Sequence, residues 1–145
     1  MAKQNFYRLE NFCEKILLEL NKSGFLINVY LAPDELMLQL NKKYRRKEKV
    51  ADVLSFKFPA TYGQQKIPYP ETELCFLGEI YLASNLVNKK KDIFGLPVDY
   101  GLSVGHKLLI HGLLHLLGYT HAKKSDRIKM EKKENQLWQK AWSWV

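Results

Sequence analysis

The chain has 145 residues, 46% of them hydrophobic and only five of them proline, which excludes a disordered or fibrous protein and fits one globular domain over residues 1–145. Its formal net charge is +8, from 23 Lys and Arg against 15 Asp and Glu, so nucleic acid is the first partner to consider. The two cysteines, Cys13 and Cys75, lie far apart without a CxxC pattern, which argues against a disulfide framework and against a thiolate zinc site.

The first part of the chain predicts two helices and two strands. Apolar residues at three- and four-residue steps predict an amphipathic helix over 5–22, and the run FLINVYLA predicts a strand over 25–32. Pro33 and Asp34 suit the start of a second helix that continues to about Tyr44. The alternating segment DVLSFKFP then predicts a strand with one buried face.

The second part begins with a stretch typical of a loop. ATYGQQKIPYPETE, residues 60–73, is rich in Gly, Pro and polar residues. LCFLGEIYLA, 74–83, predicts a third strand that pairs with the second as a hairpin, and SNLVNKKKDIFG, 84–95, predicts a helix. The most apolar segment, from 98 to about 117, predicts a helix buried in the core.

Two residues mark the boundary between the last two predicted helices. Gly118 can end the buried helix in the left-handed conformation, and Ser125 can cap a final helix. The order of elements lacks the regular alternation of a doubly wound sheet. We therefore expect an α+β fold, with a small mixed β-sheet packed with about five helices around a central buried helix.

Three of the four histidines fall within HGLLHLLGYTH, residues 111–121. His111 and His115 are four residues apart, which places both rings on one helix face roughly 6 Å from each other. Gly118 allows the chain to turn back, so that His121 can supply a third imidazole. Each histidine alone would be better explained as a core residue, but the set HxxxHxxxxxH predicts a site for one zinc ion per chain, with one coordination position open for water.

Two neighbouring positions qualify this prediction. The spacing is similar to the metzincin pattern HExxHxxGxxH, but Gly112 stands where those proteases carry their glutamate, which argues against peptide hydrolysis by that mechanism. Gly112 either leaves room beside the ion for a phosphodiester or permits close helix packing. His106 lies about 140° around the helix from His111, so we expect a structural role for it.

Three segments together resemble the YbeY family of bacterial rRNA maturation factors, which are metal-dependent single-strand endoribonucleases. HGLLHLLGYTH resembles the family's HGxLHLxGYDH, NKKYRRKEKVADVLSF (41–56) resembles NxxYRxxxxxTDVLSF, and LGEI (77–80) resembles LGDI. With MEKKE near the C-terminus, the likeness extends over about residues 25–135.

The resemblance implies zinc on His111, His115 and His121 and a catalytic arginine at Arg45, in a cleft that faces the metal. It implies single-stranded RNA as substrate, cut during maturation of ribosomal RNA such as the 3′ end of 16S rRNA, with proteins of the small ribosomal subunit as partners to consider. A guanidinium can bind a phosphate bidentately and offset transition-state charge. From the residues alone, Arg45 is a solvated member of the basic run KKYRRKEK.

Other positions in the family-like segments leave two interpretations open. Asp52, Ser55 and Glu79 either support Arg45 or a histidine, or only close turns and strand ends. Thr120 replaces the family's Asp before the third histidine, and Ala51 replaces a Thr. Because the chain begins almost directly at its first helix, we expect the strand that opens the family fold to be short or missing.

We expect RNA to be bound by basic runs at 42–49 and 88–91 and by Lys123 with Lys124, in a salt-sensitive manner. The tryptophans at 138, 142 and 144 either stack on bases or, as their helical spacing favours, pack in the core.

Two other functions stay open: a ribosome-assembly factor that binds RNA around a structural zinc, and a metallohydrolase of another substrate. The N-terminal segment lacks a signal-peptide core, and the longest apolar run is too short to span a bilayer. We therefore expect a cytoplasmic protein without a membrane partner.

Overall fold

A computed structural model describes residues 9–57, 75–87 and 102–144. In these ranges the chain forms five helices around one three-stranded sheet, which confirms the predicted α+β fold. The elements are α1 (Leu9–Glu19), β1 (Phe25–Ala32), α2 (Asp34–Arg45), β2 (Val53–Lys57), β3 (Cys75–Ala83), α3 (Ser84–Val87), α4 (Val104–Leu116) and α5 (Lys124–Trp142). The predicted loop at 60–73, the basic run at 88–91 and the rest of the helix predicted to 95 lie outside the described residues.

The central strand of the sheet is β3. It pairs in parallel with β1 on one side and antiparallel with β2 on the other, so the antiparallel pairing predicted for β2 and β3 is confirmed. Gly78 permits a close approach here, since a Cβ atom on it would lie 2.3 Å from the carbonyl oxygen of Phe56 and 2.9 Å from Leu116 Cδ2. Only glycine lets β2 and α4 approach β3 so closely.

The two faces of the sheet are covered by different helices. Ile80 and Leu82 of β3 belong to the main core with α4, whose apolar side chains are almost wholly buried, as predicted for the central helix. The opposite face carries a smaller cluster, in which Met37 of α2 packs with Leu54 and Ala83. Alternate residues of each strand therefore face α4 and α2.

The flanking helices α1 and α5 enclose the other sides of α4. Phe12 and Ile16 of α1 and Trp138 of α5 are buried in the main core, and Trp142 and Trp144 pack against it. The packing interpretation of the three tryptophans is thus confirmed. None of the described helices combines the length and the apolar composition needed to cross a bilayer.

The starts of α4 and α5 differ in how they are capped. At α4 the backbone N–H of Ser103 donates to His106 Nδ1 over 2.9 Å, and His106 is only 1% exposed, which confirms its structural role.

The prediction that Ser125 caps α5 was wrong. Lys123 is the extended residue before that helix, and Ser125 already lies in its first turn, because helical dihedrals begin at Lys124, two residues earlier than a cap at Ser125 requires.

Candidate metal centre

The side chains of His111, His115 and His121 converge at the C-terminal end of α4. One ring nitrogen of each lies within 4.8 Å of those of the other two. His111 and His115 are half-buried on the helix, and His121 is exposed beyond Gly118, whose φ of +102° reverses the chain direction. The three histidines thus form a single cluster with the spacing predicted from the sequence.

Hydrogen bonds on Nδ1 determine where each ring on α4 presents its lone pair. Nδ1 of His115 lies 3.1 Å from the carbonyl oxygen of Tyr119, and Nδ1 of His111 lies 2.5 Å from Glu134 Oε1. Both partners are acceptors, so each neutral ring carries its proton on Nδ1 and its lone pair on Nε2. The two Nε2 atoms are 3.1 Å apart, a separation that suits two ligands about 2.0–2.1 Å from one zinc ion.

The protonation state of His115 is also the one that a metal ligand needs. Burial, reinforced by the neighbouring His111 and His121, lowers the pKa of His115 to about 4. The ring is therefore neutral near neutral pH, as a metal ligand must be. The charge of Arg45 acts in the same direction, which places it within electrostatic reach of the ring.

Glu134 is a site residue that the sequence analysis missed. It lies on α5, 23 residues after His111, and its side chain is 14% exposed. The sequence does not distinguish Glu134 from Glu131, another glutamate of the same charged helix. The only sign of a role for Glu134 was its position at the end of the family-like segment MEKKE. A carboxylate on Nδ1 fixes the orientation of the His111 ring and makes Nε2 a stronger donor to a metal.

We expect Glu134→Ala to weaken zinc affinity by about 10- to 100-fold, because the His111 ring loses the partner that orients it. Glu134→Gln should fall between that variant and wild type, since its amide oxygen still accepts a hydrogen bond but carries no charge. The affinities are measured by competition with a chromogenic chelator. Glu131→Ala, which removes an exposed carboxylate from the same helix, is the matched control, and unchanged affinity in Glu134→Ala would contradict the prediction.

His111 of the histidine cluster lines a cleft of about 410 Å³. The cleft lies between the end of α2, the segment 47–52, and α4 with Glu134 of α5. Four of its lining residues are cationic, namely Arg45, Lys47, Lys49 and Lys107, and two are acidic, namely Asp52 and Glu134. The excess of positive charge suits a phosphodiester ligand.

Lys107 forms the inner wall of this cleft. It lies one turn before His111 and is only 7% exposed, with Nζ 5.3 Å from the centroid of the Trp138 ring. Burial lowers the pKa of Lys107, and the charge of Glu134 opposes that shift. The ring and the carboxylate together stabilise a buried ammonium group beside the histidines.

Arg45 is connected to the histidine helix through β2. Its Nη2 donates to the carbonyl oxygen of Ser55 over 3.2 Å, and Ser55 Oγ donates to the carbonyl oxygen of Gly112 over 2.9 Å. Arg45 and His111 both line the cleft. Of the two interpretations offered for Ser55, its contacts favour support of the site.

Asp52 and Glu79 lie in different surroundings. The carbonyl oxygen of Asp52 accepts from the N–H of Ala83 over 2.9 Å and so closes the strand ends, while the residue also lines the cleft. Glu79 accepts from the Tyr81 hydroxyl over 3.3 Å, on the sheet face opposite α4. A supporting role for Glu79 at the histidines was therefore the wrong interpretation.

The turn after Arg45 is fixed by a second residue that the sequence analysis missed, Asn41. This buried side chain donates from Nδ2 to the carbonyl oxygen of Lys49 over 2.9 Å, and the backbone carbonyl oxygen of Asn41 accepts from the N–H of Lys47 over 3.3 Å. Arg46 ends α2 in the left-handed region with φ of 55°. These bonds fix where α2 ends and hence where Arg45 leaves the helix.

Gly112 serves packing rather than substrate access. A Cβ atom there would lie 2.9 Å from Ser55 Oγ and 3.0 Å from Ile80 Cγ2. Its missing side chain would thus point into the sheet. The idea that Gly112 leaves room beside a metal ion was wrong, and the alternative of close helix packing is confirmed.

Thr120 and Ala51, the two departures from the family pattern, are both accommodated. Thr120 Oγ1 donates to Asp126 Oδ2 over 3.4 Å, so that a carboxylate from the first turn of α5 lies beside the residue that precedes His121. Ala51 is half-buried and packs against the cluster around Met37.

Fold and site together define a class of protein. A mixed sheet supports a buried helix that carries two histidines, a third histidine follows a glycine turn to complete the cluster, and His111 of that cluster lines a cationic cleft. Such an arrangement is typical of metal-dependent hydrolases, whose ions are held by few protein ligands in an accessible cleft.

Comparisons with known proteins identify the family within this class. The model of the family described as Endoribonuclease YbeY matches residues 2–141, so the chain belongs to the YbeY family. Endoribonuclease YbeY of Ehrlichia canis is 33% identical over 132 residues, 89% of this chain and 77% of the relative, and that of Aquifex aeolicus is 30% identical over 122 residues, 84% and 73%. The solution structure of TM1509 from Thermotoga maritima superposes with a TM-score of 0.50 at 25% identity, covering 93% of this chain and 84% of the other.

Proposed function

We propose that this protein is a zinc-dependent endoribonuclease that cuts single-stranded RNA and acts in the cytoplasm on ribosomal RNA, including maturation of the 3′ end of 16S rRNA. The observation that carries the proposal is that Arg45 and His111, a member of the three-histidine cluster, line one cationic cleft. Family membership supports the RNA-cleaving activity, since the curated relatives are endoribonucleases.

The three imidazoles would hold the ion, with His111 and His115 binding through Nε2. A zinc ion in such a site supplies a Lewis acid for the phosphoryl oxygens and activates water near neutral pH. Glu134 keeps the His111 ring in its ligating tautomer. Arg45 binds a nonbridging phosphate oxygen and offsets the negative charge that grows on the phosphodiester in the transition state.

The other cations of the cleft position the substrate. Lys47 and Lys49 lie on the segment that follows Arg45, and Lys107 lies one turn before His111. Cations on both walls would bind successive phosphates of one strand, and proteins of the small ribosomal subunit would be neighbours when that strand is ribosomal RNA. We expect the affinity to fall steeply with salt.

The alternative in which zinc is structural is less well supported. Structural zinc sites have four protein ligands, whereas catalytic sites leave a position open. Within the described residues, the group of side chains that could hold a metal consists of three histidines. The carboxylate of Glu134 is already engaged by Nδ1 of His111.

Cleavage of an end-labelled RNA tests the proposal. Protein freed of metal with a chelator and reloaded with zinc should cut a single-stranded RNA and leave the same sequence intact when it is annealed to its complement. The metal-free protein should cut neither. If the zinc-loaded protein binds the RNA without cutting it, the endonuclease proposal fails and the assembly-factor alternative replaces it.

A further inference from the structure

The sheet face opposite α4 carries four aromatic side chains in continuous contact. Tyr44 meets Phe56 with ring centroids 5.1 Å apart, Phe56 meets Tyr81 at 5.8 Å, and Tyr81 stacks on Tyr30 at 4.9 Å with an angle of 26° between the ring planes. We name these four residues the aromatic platform. They extend from the end of α2 across all three strands.

Strand register explains why these rings share one face. Tyr30 of β1 is directly paired with Tyr81 of β3, and Phe56 of β2 is paired with Glu79, two residues before Tyr81. Ile80, between Glu79 and Tyr81, lies on the α4 side. Since successive side chains of a strand alternate between faces, the aromatic platform lies on the face away from α4.

Much of the platform is exposed. The exposed fractions are 57% for Tyr44 and 41% for Tyr30. Among the described residues, α2 covers the other end of this face, where Met37 packs with Leu54, Ala32 and Ala83. A contiguous set of partly exposed aromatic rings marks a binding surface more often than an isolated exposed ring does.

The platform adjoins the cleft of the metal centre through neighbouring residues of the chain. Tyr44 directly precedes Arg45, and Phe56 directly follows Ser55, whose carbonyl oxygen accepts from the Arg45 guanidinium. At the end of α2, the platform residue Tyr44 and the cleft residue Arg45 are therefore consecutive in the chain. A strand whose phosphate lies at Arg45 would reach the platform with its neighbouring nucleotides.

A cation borders the platform as well. Lys43 Nζ lies 5.2 Å from the centroid of the Tyr44 ring. Exposed aromatic rings beside a lysine suit unpaired nucleic acid, because bases stack on the rings and a phosphate can contact the cation. A protein partner would gain little from this lysine unless it were acidic.

We propose that the aromatic platform binds the bases of single-stranded RNA adjacent to the segment that is cut. This inference rests on the proposed function and extends it, since it names a second contact region for the same strand. It also gives a physical reason for single-strand preference, because bases in a duplex are stacked on each other and cannot stack on Tyr30 or Tyr44.

Binding of short and long oligonucleotides by the zinc-loaded full chain tests the platform. Fluorescein-labelled oligodeoxyuridylates of four and fourteen nucleotides are used, because they supply bases and phosphates without the ribose hydroxyl. Tyr30→Leu and Tyr44→Leu should each weaken binding of the long probe by roughly 5- to 100-fold. Binding of the short probe, which occupies the cleft alone, should be unchanged and shows that the variants are folded.

The matched control is Tyr30→Phe, which keeps the ring and should bind the long probe like wild type. If both leucine variants bind the long probe like wild type, the platform proposal is overturned and a protein partner becomes the better explanation of the exposed rings. Cleavage of oligouridylate by the wild type is followed separately. Its absence would overturn the nuclease activity, whereas ring-dependent binding of the long probe would still support the platform.

Discussion

His115→Ala should lower RNA cleavage by more than about 100-fold and remove the stabilisation that zinc gives to the folded chain. The loss exceeds that expected for a residue that only orients a ligand, because His115 would itself be one of the three ligands. Its ring centroid lies 4.7 Å from those of both His111 and His121. Two remaining imidazoles would bind the ion weakly and in an altered geometry.

Thermal unfolding measures this effect independently of activity. For wild type, free zinc at 100 times its dissociation constant should stabilise the fold by about 2.7 kcal/mol, because the ion binds the folded state. His115→Ala should unfold near the same temperature with and without zinc. The side chain is only half-buried, so its removal should leave the metal-free fold close to wild type in stability.

His106→Ala is the matched control, since it removes another histidine of α4. That ring is buried in the capping interaction with Ser103, so its loss should lower the free energy of unfolding by about 1–3 kcal/mol. The zinc-dependent shift should nevertheless persist in this variant. A persistent shift in His115→Ala, or its loss in His106→Ala, would contradict the assignment of ligands.

Local patterns were sufficient to predict most of the fold and the centre of the site. The run 25–32 forms β1 with the predicted bounds, and α2 ends within one residue of Tyr44. His111 and His115 could be placed together because the helical period alone determines their separation. His121 could be added because a glycine in the left-handed conformation, here Gly118, reverses the chain at a known position.

What the sequence left open depends on contacts between distant elements. Glu134 meets His111 across the interface of α4 and α5, and nothing in its own helix distinguishes it from an exposed glutamate such as Glu131. Gly112 allowed two interpretations because its role depends on which side of α4 faces the sheet. The aromatic platform likewise required the strand register, which brings Tyr30 beside Tyr81 from 51 positions away.

Arg45→Ala should lower the rate of RNA cleavage by about 100- to 1,000-fold while leaving zinc affinity unchanged. This is the loss expected when one group that stabilises transition-state charge is removed, and Arg45 is linked to the histidine helix indirectly, through Ser55. Arg45→Lys should recover part of the rate, because an ammonium supplies the charge without the two parallel donors of a guanidinium. Single-turnover cleavage by the zinc-loaded variants measures the effect.

The control variant Arg46→Ala distinguishes the effect of where Arg45 lies from the effect of losing one positive charge. Arg46 is the next residue, is exposed and is absent from the lining of the cleft, so its removal lowers the net charge equally without altering the site. We expect this variant to cleave RNA at close to the wild-type rate. An equal loss of activity in both alanine variants would mean that Arg45 acts only through long-range attraction. We expect the loss to be confined to Arg45→Ala, because the turn fixed by Asn41 and the hydrogen bond to Ser55 direct the Arg45 guanidinium into the cleft.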